Sequence, residues 1–362
     1  MAAPNVSDRT KSSIIRKTIM PKIRAGIINV TGYIGAELAR LLCQHPGVKL
    51  VSVTGRSTAG QRLRDVFPSL GETNYTIEAE LGSKVDVAFL AMPHKGSVDI
   101  VPSLLKKGIR VVDASADFRL KNSAEYPKWY GFPHPSPKLL KEAVFGLPEL
   151  HHDEIASASL VANPGCYSTT AILALAPAVK EGIVCPDIVI DSKSGVSGAG
   201  RTPTLTTHYS EVNEDICAYS LDGHRHLPEI EQELKALDPS ISLSITFVPH
   251  LVPMTRGILT TCYAKLADAR HLTTDSLKRI YRDFYKHAPF VRITIQPPHT
   301  KHVWGTNFCL IYPAIDSRTE RLIVISCIDN LVKGGAGQAV QNMNLMFDVP
   351  ETAGLEALTI YP

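Results

Sequence analysis

Two domains of different class are predicted from this sequence. The first is an α/β domain built on a doubly wound parallel sheet, and the second is an α+β domain built on a mixed sheet. Three observations carry that expectation. Apolar runs at 23–30, 49–55, 86–92 and 109–115 show little polar alternation and are spaced by helix-like segments, the pattern of parallel strands covered on both faces. Beyond residue 166 the pattern changes to six β-like runs at 187–192, 242–249, 258–265, 290–295, 308–313 and 321–329, with a helical stretch at 274–287. Between the two patterns stands Ala162-Asn163-Pro164-Gly165-Cys166-Tyr167, where a strand run at 158–162 is broken by Pro-Gly and followed by an apolar helical run at 169–179, with a bend expected at Pro177.

The first strand run enters Thr31-Gly32-Tyr33-Ile34-Gly35, and residues 36–44 then read as a helix with Leu38, Leu41 and Leu42 on one face. Glycines at 32 and 35 let a backbone approach a pyrophosphate at a helix N-terminus, which makes this a Rossmann-type dinucleotide turn. The second strand run ends at Gly55-Arg56-Ser57. An acidic residue is expected there for NAD; Arg56 and Ser57 suit a 2′-phosphate instead, so NADP(H) is the expected cofactor. Ala91, Pro93 and Ser115 fall at carboxyl ends of strands, where such folds bind ligands. Arg119 follows as a candidate clamp for an anionic substrate group. The stretch 121–147, rich in Pro, Tyr and Trp, reads as an ordered loop over the site.

Cys166 is expected on a tight strand-to-helix turn, where the partial positive charge of the helix N-terminus favours the nucleophilic thiolate. Lys193 and Arg201 flank a Gly/Ser loop that includes Ser194, Gly195 and Ser197, a candidate phosphate or carboxylate site. His224 and His226 precede a helix at 228–237, and either one suits general acid–base work, with Glu229 to orient an imidazole. The Gly-rich run after Asn330, which includes Gly337 and Gln338, leads into a helix at 339–346 that is expected to return to the first domain. It is either a second backbone-amide anion site or a tight turn.

Composition excludes other classes. The chain of 362 residues is 44% hydrophobic and 20% charged, with a formal net charge of +3 and no long basic run, so nucleic acid is not implied. Seven dispersed cysteines without a C-x-x-C pair fit a reducing compartment and suggest neither zinc nor a disulfide framework. No apolar stretch is long enough to span a bilayer. Residues 1–21 are polar and basic and are expected to be a disordered tail. An organelle-targeting role, or a start at Met20, stays open beside a cytoplasmic location.

Six motifs in order carry a resemblance. They are Gly32-Tyr33-Ile34-Gly35-Ala36-Glu37-Leu38, Asp113-Ala114-Ser115-Ala116-Asp117-Phe118-Arg119, Asn163-Pro164-Gly165-Cys166-Tyr167, the run from Ser194 to Arg201, Gly223-His224-Arg225-His226-Leu227-Pro228-Glu229-Ile230, and the run from Pro249 to Gly257. Together, over 23–362, the chain resembles the N-acetyl-γ-glutamyl-phosphate reductase family of the aspartate-semialdehyde dehydrogenase superfamily. The resemblance implies NADPH-dependent reduction of N-acetylglutamyl 5-phosphate to its semialdehyde through a Cys166 thioester, in arginine biosynthesis, by a homodimer or homotetramer. Its alternatives are aspartyl phosphate, a carrier-linked aminoadipyl or glutamyl phosphate, and a non-catalytic NADP-binding or thiol redox sensor. The family pattern has Gly-Ala-Ser where this chain has Asn29-Val30-Thr31, and Ala at Gly335. The expected domains are 22–165 with 331–362, and 166–330. The expected cofactor contacts are Thr31, Gly32, Tyr33, Ile34, Gly35, Arg56, Ser57, Pro93, Ser115, Ser194, Gly195, Asn330 and Gly337. The expected substrate contacts are Arg119, Asn163, Lys193, Ser197, Arg201 and Arg256, with Tyr209 or Asn213 near them in chain order.

Overall fold

The computed structural model describes residues 22–71, 73–82, 84–268 and 272–362. The expectation about residues 1–21 lies outside the described residues. Six strands form the first sheet: β1 (Ile23–Ile28), β2 (Val48–Val53), β3 (Val87–Leu90), β4 (Arg110–Asp113), β5 (Val144–Phe145) and β6 (Leu160–Ala162). Their order is β2-β1-β3-β4-β6-β5 and every pairing is parallel. Helices cover both faces, so the strands are mainly apolar, with Arg24, Lys49 and Arg110 near their amino ends; all four residues of β3 are buried. The chain leaves β1 to one side for β2 and to the other for β3, which opens a crevice above the carboxyl ends of β1 and β3.

Helix α1 (Tyr33–Gln44) buries Leu38, Leu41 and Leu42 as its pattern predicts. The next expected helix, 96–107, is only α2 (Val101–Lys106), because the residues before it are held by a neighbouring loop: the Ser97 amide donates to Asp117 and the Ser97 hydroxyl to Asp113. The 121–147 segment is more than a loop. It holds single helical turns at Tyr126–Tyr130 and Pro137–Glu142 and ends in the edge strand β5, too short to leave a period in the sequence. Helix α3 (Pro148–Ser157) then leads into β6.

From Cys166 the chain runs α4 (Cys166–Lys180), β7 (Val184–Gly195), β8 (Cys217–Ala218), α5 (Leu227–Leu237), β9 (Ser244–Val252), β10 (Ile258–Leu266), α6 (Thr274–Phe284), β11 (Val291–Ile293), β12 (Cys309–Asp316), β13 (Arg321–Ile328) and α7 (Gly337–Met346). The seven strands are ordered β11-β12-β13-β10-β7-β9-β8, with β11/β12 and β7/β9 parallel and the other pairs antiparallel. All residues of α4 from Tyr167 to Val179 are buried, which is why its sequence shows no polar face. The helix runs unbroken through Pro177. Proline supplies no N–H to the Leu173 carbonyl, and the Tyr285 hydroxyl donates to it instead at 2.6 Å, while Tyr281 donates to Ala174 O at 2.8 Å.

Helix α7 is buried along its whole length, and its Ala339, Val340 and Met343 join Val87, Phe89 and Val112 in the core of the first sheet. No helix among the described residues is long and apolar enough to cross a membrane.

Candidate active site

Cys166 is the first residue of α4 and is partly exposed. Two buried charged groups hold the turn that presents it. Glu229, on the first turn of α5, accepts the Gly165 amide at 2.9 Å through Oε2 and Arg119 Nη1 at 3.0 Å through Oε1. Arg119 also donates from Nε to Asn163 O at 2.8 Å and from Nη2 to Ala114 O at 3.0 Å. The loop after β4, the Asn163-Pro164-Gly165 turn and α5 are thereby tied together behind Cys166.

The imidazoles stand over the same turn. His226 lies so close to Gly165 that a Cβ there would come within 2.4 Å of Nε2, so only glycine fits. The Nδ1 of His226 is buried without a partner among the described residues. His224 packs against it with ring centroids 4.6 Å apart, and its Nδ1 accepts the His226 amide at 3.1 Å, which sets the orientation of the second histidine. Tyr167, Tyr219 and Phe247 wall His224 in. Burial, then the Arg225 charge, pulls His224 down to about 4; burial, then His224, Arg119 and Arg225, holds His226 well below the usual imidazole range. Burial pushes the Cys166 thiol up to about 11, against the opposing pull of Arg119 and of the Tyr167 and Cys166 amides. The resting cysteine is therefore a thiol beside neutral imidazoles, where the helix N-terminus alone predicted a thiolate.

The dinucleotide turn lies across the crevice. A Cβ on Gly35 would meet Asn29 O at 2.5 Å, so this glycine permits the close approach of α1 to the end of β1. Asn29 itself adopts φ +67° and donates to Ala91 O at 2.7 Å, so the residue that replaces the family's glycine supplies both the left-handed turn and a tie to the β3 loop. Gly32 caps α1 without a side-chain cap, leaving the helix's first amides for a ligand, and Tyr33 is 38% exposed beside it. Arg56 and Ser57 form an exposed turn just after β2. Arg201, expected at the substrate phosphate, instead reaches this turn: Nη1 donates to Thr31 O at 2.9 Å and the guanidinium stacks on Phe67.

Several expected contacts have other partners. Glu229 orients no imidazole, since both its oxygens hold Gly165 and Arg119. Arg256 bridges Glu37 of α1 at 2.9 Å and Asp329 at 3.5 Å, tying the two sheets together. Lys193 pairs with Asp191. Asn163 donates to Gly335 O and accepts from Asn342. Ser115 is buried and its hydroxyl donates to Asp113. Ser194 donates to Gly195 O, and Gly195 packs against the Thr255 backbone. Asn330 donates to Ser197 Oγ and accepts the Gly257 amide, and Gly337 packs against Asn307 and Val332. The 194–201 loop is thus cross-linked to its neighbours and is not a bare anion nest. Tyr209 and Asn213 lie on an exposed arm, and Pro93 is exposed above β3.

Sequence reasoning left one residue without a role. Arg225, between the two histidines, is exposed, and its guanidinium has no ion pair or hydrogen bond among the described residues. Its charge nonetheless acts on His224, His226, Tyr130 and Tyr219. The signal was available: with His224 and His226 packed among aromatic rings, the cation between them is left exposed.

A parallel sheet with a glycine turn for a dinucleotide, joined to a mixed sheet that carries a helix-initial cysteine beside two histidines, defines a two-domain oxidoreductase of the semialdehyde dehydrogenase class. Two family models agree: the semialdehyde dehydrogenase NAD binding domain matches 24–158 and the semialdehyde dehydrogenase dimerisation domain matches 166–330. The chain belongs to the N-acetyl-γ-glutamyl-phosphate reductase family. A relative of that name from Dehalococcoides mccartyi is 59% identical over 343 residues, 95% of this chain and all of the relative. Another from Heliobacterium modesticaldum is 47% identical over 351 residues, 94% of this chain and all of its own length. The fold is shared with aspartate semialdehyde dehydrogenase II of Vibrio cholerae, solved in complex with ASA (TM-score 0.70, 15% identity, 91% of this chain and 99% of that one). It is also shared with the Candida albicans aspartate semialdehyde dehydrogenase solved with NADP (TM-score 0.68, 14% identity, 90% of this chain and 98% of that one).

Proposed function

We propose that this oxidoreductase reduces N-acetylglutamyl 5-phosphate to N-acetylglutamate 5-semialdehyde with NADPH, the reaction for which its relatives are named. The observation that carries the reading is the Gly165–Cys166 turn, held by Glu229 and Arg119 and covered by His226. The uncapped N-terminus of α1, the close approach at Gly35, and the exposed Arg56 and Ser57 after β2 fit a dinucleotide with a 2′-phosphate, and Arg201 adds a cation beside that turn.

Cys166 Sγ attacks the acyl carbonyl as neutral His226 takes the thiol proton. The carbon–oxygen bond to phosphate breaks, phosphate leaves, and a thioester remains on Cys166. The α4 amides and Arg119 offset the negative charge that develops at this turn. NADPH, when bound, supplies the hydride that reduces the thioester. The imidazolium of His226 returns its proton as the aldehyde forms and Cys166 leaves. Arg225 holds the substrate α-carboxylate, since Arg119 and Arg256 are bound to protein partners.

The exposed arm before the histidines carries Leu205, Tyr209, Ile216 and Leu221, each at least 64% exposed, alongside the edge strand β8. This supports a homodimer or homotetramer, which light scattering of the native protein reads directly.

The deciding experiment is the reverse reaction. NADP, phosphate and N-acetylglutamate semialdehyde are mixed with wild type and with Cys166→Ser, and NADPH absorbance is followed. Phosphate-dependent reduction of NADP in the wild type alone supports the assignment. Binding of NADP without turnover, or turnover only with aspartate semialdehyde or a carrier-linked semialdehyde, rejects this substrate.

A further inference from the structure

Lys333 is wholly buried, yet it is not part of the chemistry described above. Its Nζ lies 2.7 Å from Glu149 Oε1, a carboxylate equally buried on the first turn of α3, and donates at 2.9 Å to Gln341 Oε1 on α7. Gln341 in turn accepts from Asn307 and donates to Glu351. One lysine thus ties three parts of the chain together.

The backbone that carries Lys333 is unusual. Residues Val332–Ala336 form a π-turn in which Gly334 N bonds Asp329 O at 2.9 Å and Ala336 N bonds Leu331 O at 2.7 Å, each five residues back. The extra residue in this turn brings two glycines against two different functional segments. A Cβ on Gly334 would lie 2.7 Å from Cys166 Cβ, and a Cβ on Gly335 would lie 2.4 Å from the Ile34 side chain on the first turn of α1. The Gly335 carbonyl also accepts from Asn163, three residues before Cys166. Relaxation to an ordinary α-helical register would rotate every later residue by roughly 100° and move both contacts.

We propose that Lys333 is a positioning residue: through its buried ion pair with Glu149 it fixes the π-turn against which the nucleophile and the dinucleotide turn are both seated. A buried ion pair is a poor stabiliser compared with apolar side chains of the same volume, because both ions must leave water. What a directional pair adds is a single defined register, and this register sets Cys166 relative to the cofactor turn. The kinetic part of the proposal rests on the reductase reading. The remainder concerns Cys166 and NADP alone.

The test compares Lys333→Met, Glu149→Gln and the double variant Glu149→Leu with Lys333→Met. Five quantities are measured on folded protein: Tm, NADP affinity, kcat and KM in the reverse reaction, and the pH profile of iodoacetamide modification of the Cys166 peptide, read by mass spectrometry. The expected result for Lys333→Met is a fall in kcat of tenfold or more with KM changed little, together with an altered Cys166 modification profile. In the double variant Tm is expected to recover while kcat and the profile do not. If Lys333→Met does not fold, Glu149→Gln decides by the same readouts. A double variant that regains kcat together with Tm, or a folded single variant with wild-type kcat and profile, overturns the proposal. Should the wild type turn over no substrate, the profile and NADP affinity still decide it, so that failure belongs to the reductase reading.

Discussion

Two opposed influences act on Cys166. The helix N-terminus and Arg119 favour its anion, and burial disfavours it; burial is the larger, and the thiol is pushed up to about 11. The rate of Cys166 modification by iodoacetamide is therefore expected to climb through pH 7 to 10 without a plateau. A plateau near neutrality would mean that a thiolate is already formed at rest. The same balance makes a neutral base necessary. In the proposed mechanism that base is His226, seated on Gly165 with Nδ1 unpaired among the described residues, and His224 orients it through the 3.1 Å bond from its backbone amide. His226→Asn is expected to lower kcat by about 10²–10⁴ with NADP affinity intact, and His224→Asn by a smaller factor. Equal losses would point to one imidazole pair acting together. Arg225→Ala is expected to raise KM for the semialdehyde roughly tenfold or more with kcat changed little, since it removes binding common to ground state and transition state. A loss confined to kcat would place Arg225 in the chemistry instead.

At the scale of elements, α4 depends on a partner for its internal proline. Tyr285→Phe leaves the Leu173 carbonyl buried without a donor and is expected to cost about 1–3 kcal/mol, seen as a drop in Tm with activity retained at low temperature. An unchanged Tm would show that the carbonyl finds another donor. This element also shows what a sequence displays and what it hides. The strand–Pro-Gly–helix run around Cys166 was legible because a buried strand and a buried helix both read as apolar runs and proline marks the junction. The four central parallel strands and the glycine turn of α1 were legible for the same reason. The cations were not: Arg119, Arg256, Lys193 and Arg201 read as anion binders because their charge is visible in sequence, whereas their partners, Glu229, Glu37, Asp191 and the Thr31 carbonyl, are in most cases far away in the chain. The π-turn was hidden too, because Gly334 and Gly335 read equally well as a loop or an anion nest until Cys166 and Ile34 are brought against them.

At the scale of the whole molecule, acid should loosen both sheets together. His45 beside α7, His134 near the β4 loop, and His224 and His226 over the nucleophile are all held below the usual imidazole range, with burial the largest cause in each. An imidazole whose folded pKa is depressed binds its proton more readily in the unfolded chain. Its contribution to stability is therefore fully present above pH 6.5 and is lost as pH falls toward the folded value, about 4 for His224. Asp113 acts in the opposite sense: burial, then Asp117, pushes its carboxyl up to about 6, so protonation of the folded form relieves a cost as pH drops through the same window. Burial also pulls His94 down to about 4 and raises the Glu231 and Glu351 carboxyls, so five histidines against three raised carboxyls leave a net loss, at most ~1.4 kcal/mol per pH unit for each histidine. Tm is expected to fall steadily from pH 7 to pH 4.5. His224→Asn, which removes one of these protons, should flatten that slope even where it lowers Tm at neutral pH. A slope identical to wild type would mean that His224 is protonated in the folded protein as easily as in the unfolded one. The neutral base assigned to this cleft would then lose its physical ground, since the burial that depresses His224 is the same burial that keeps His226 uncharged.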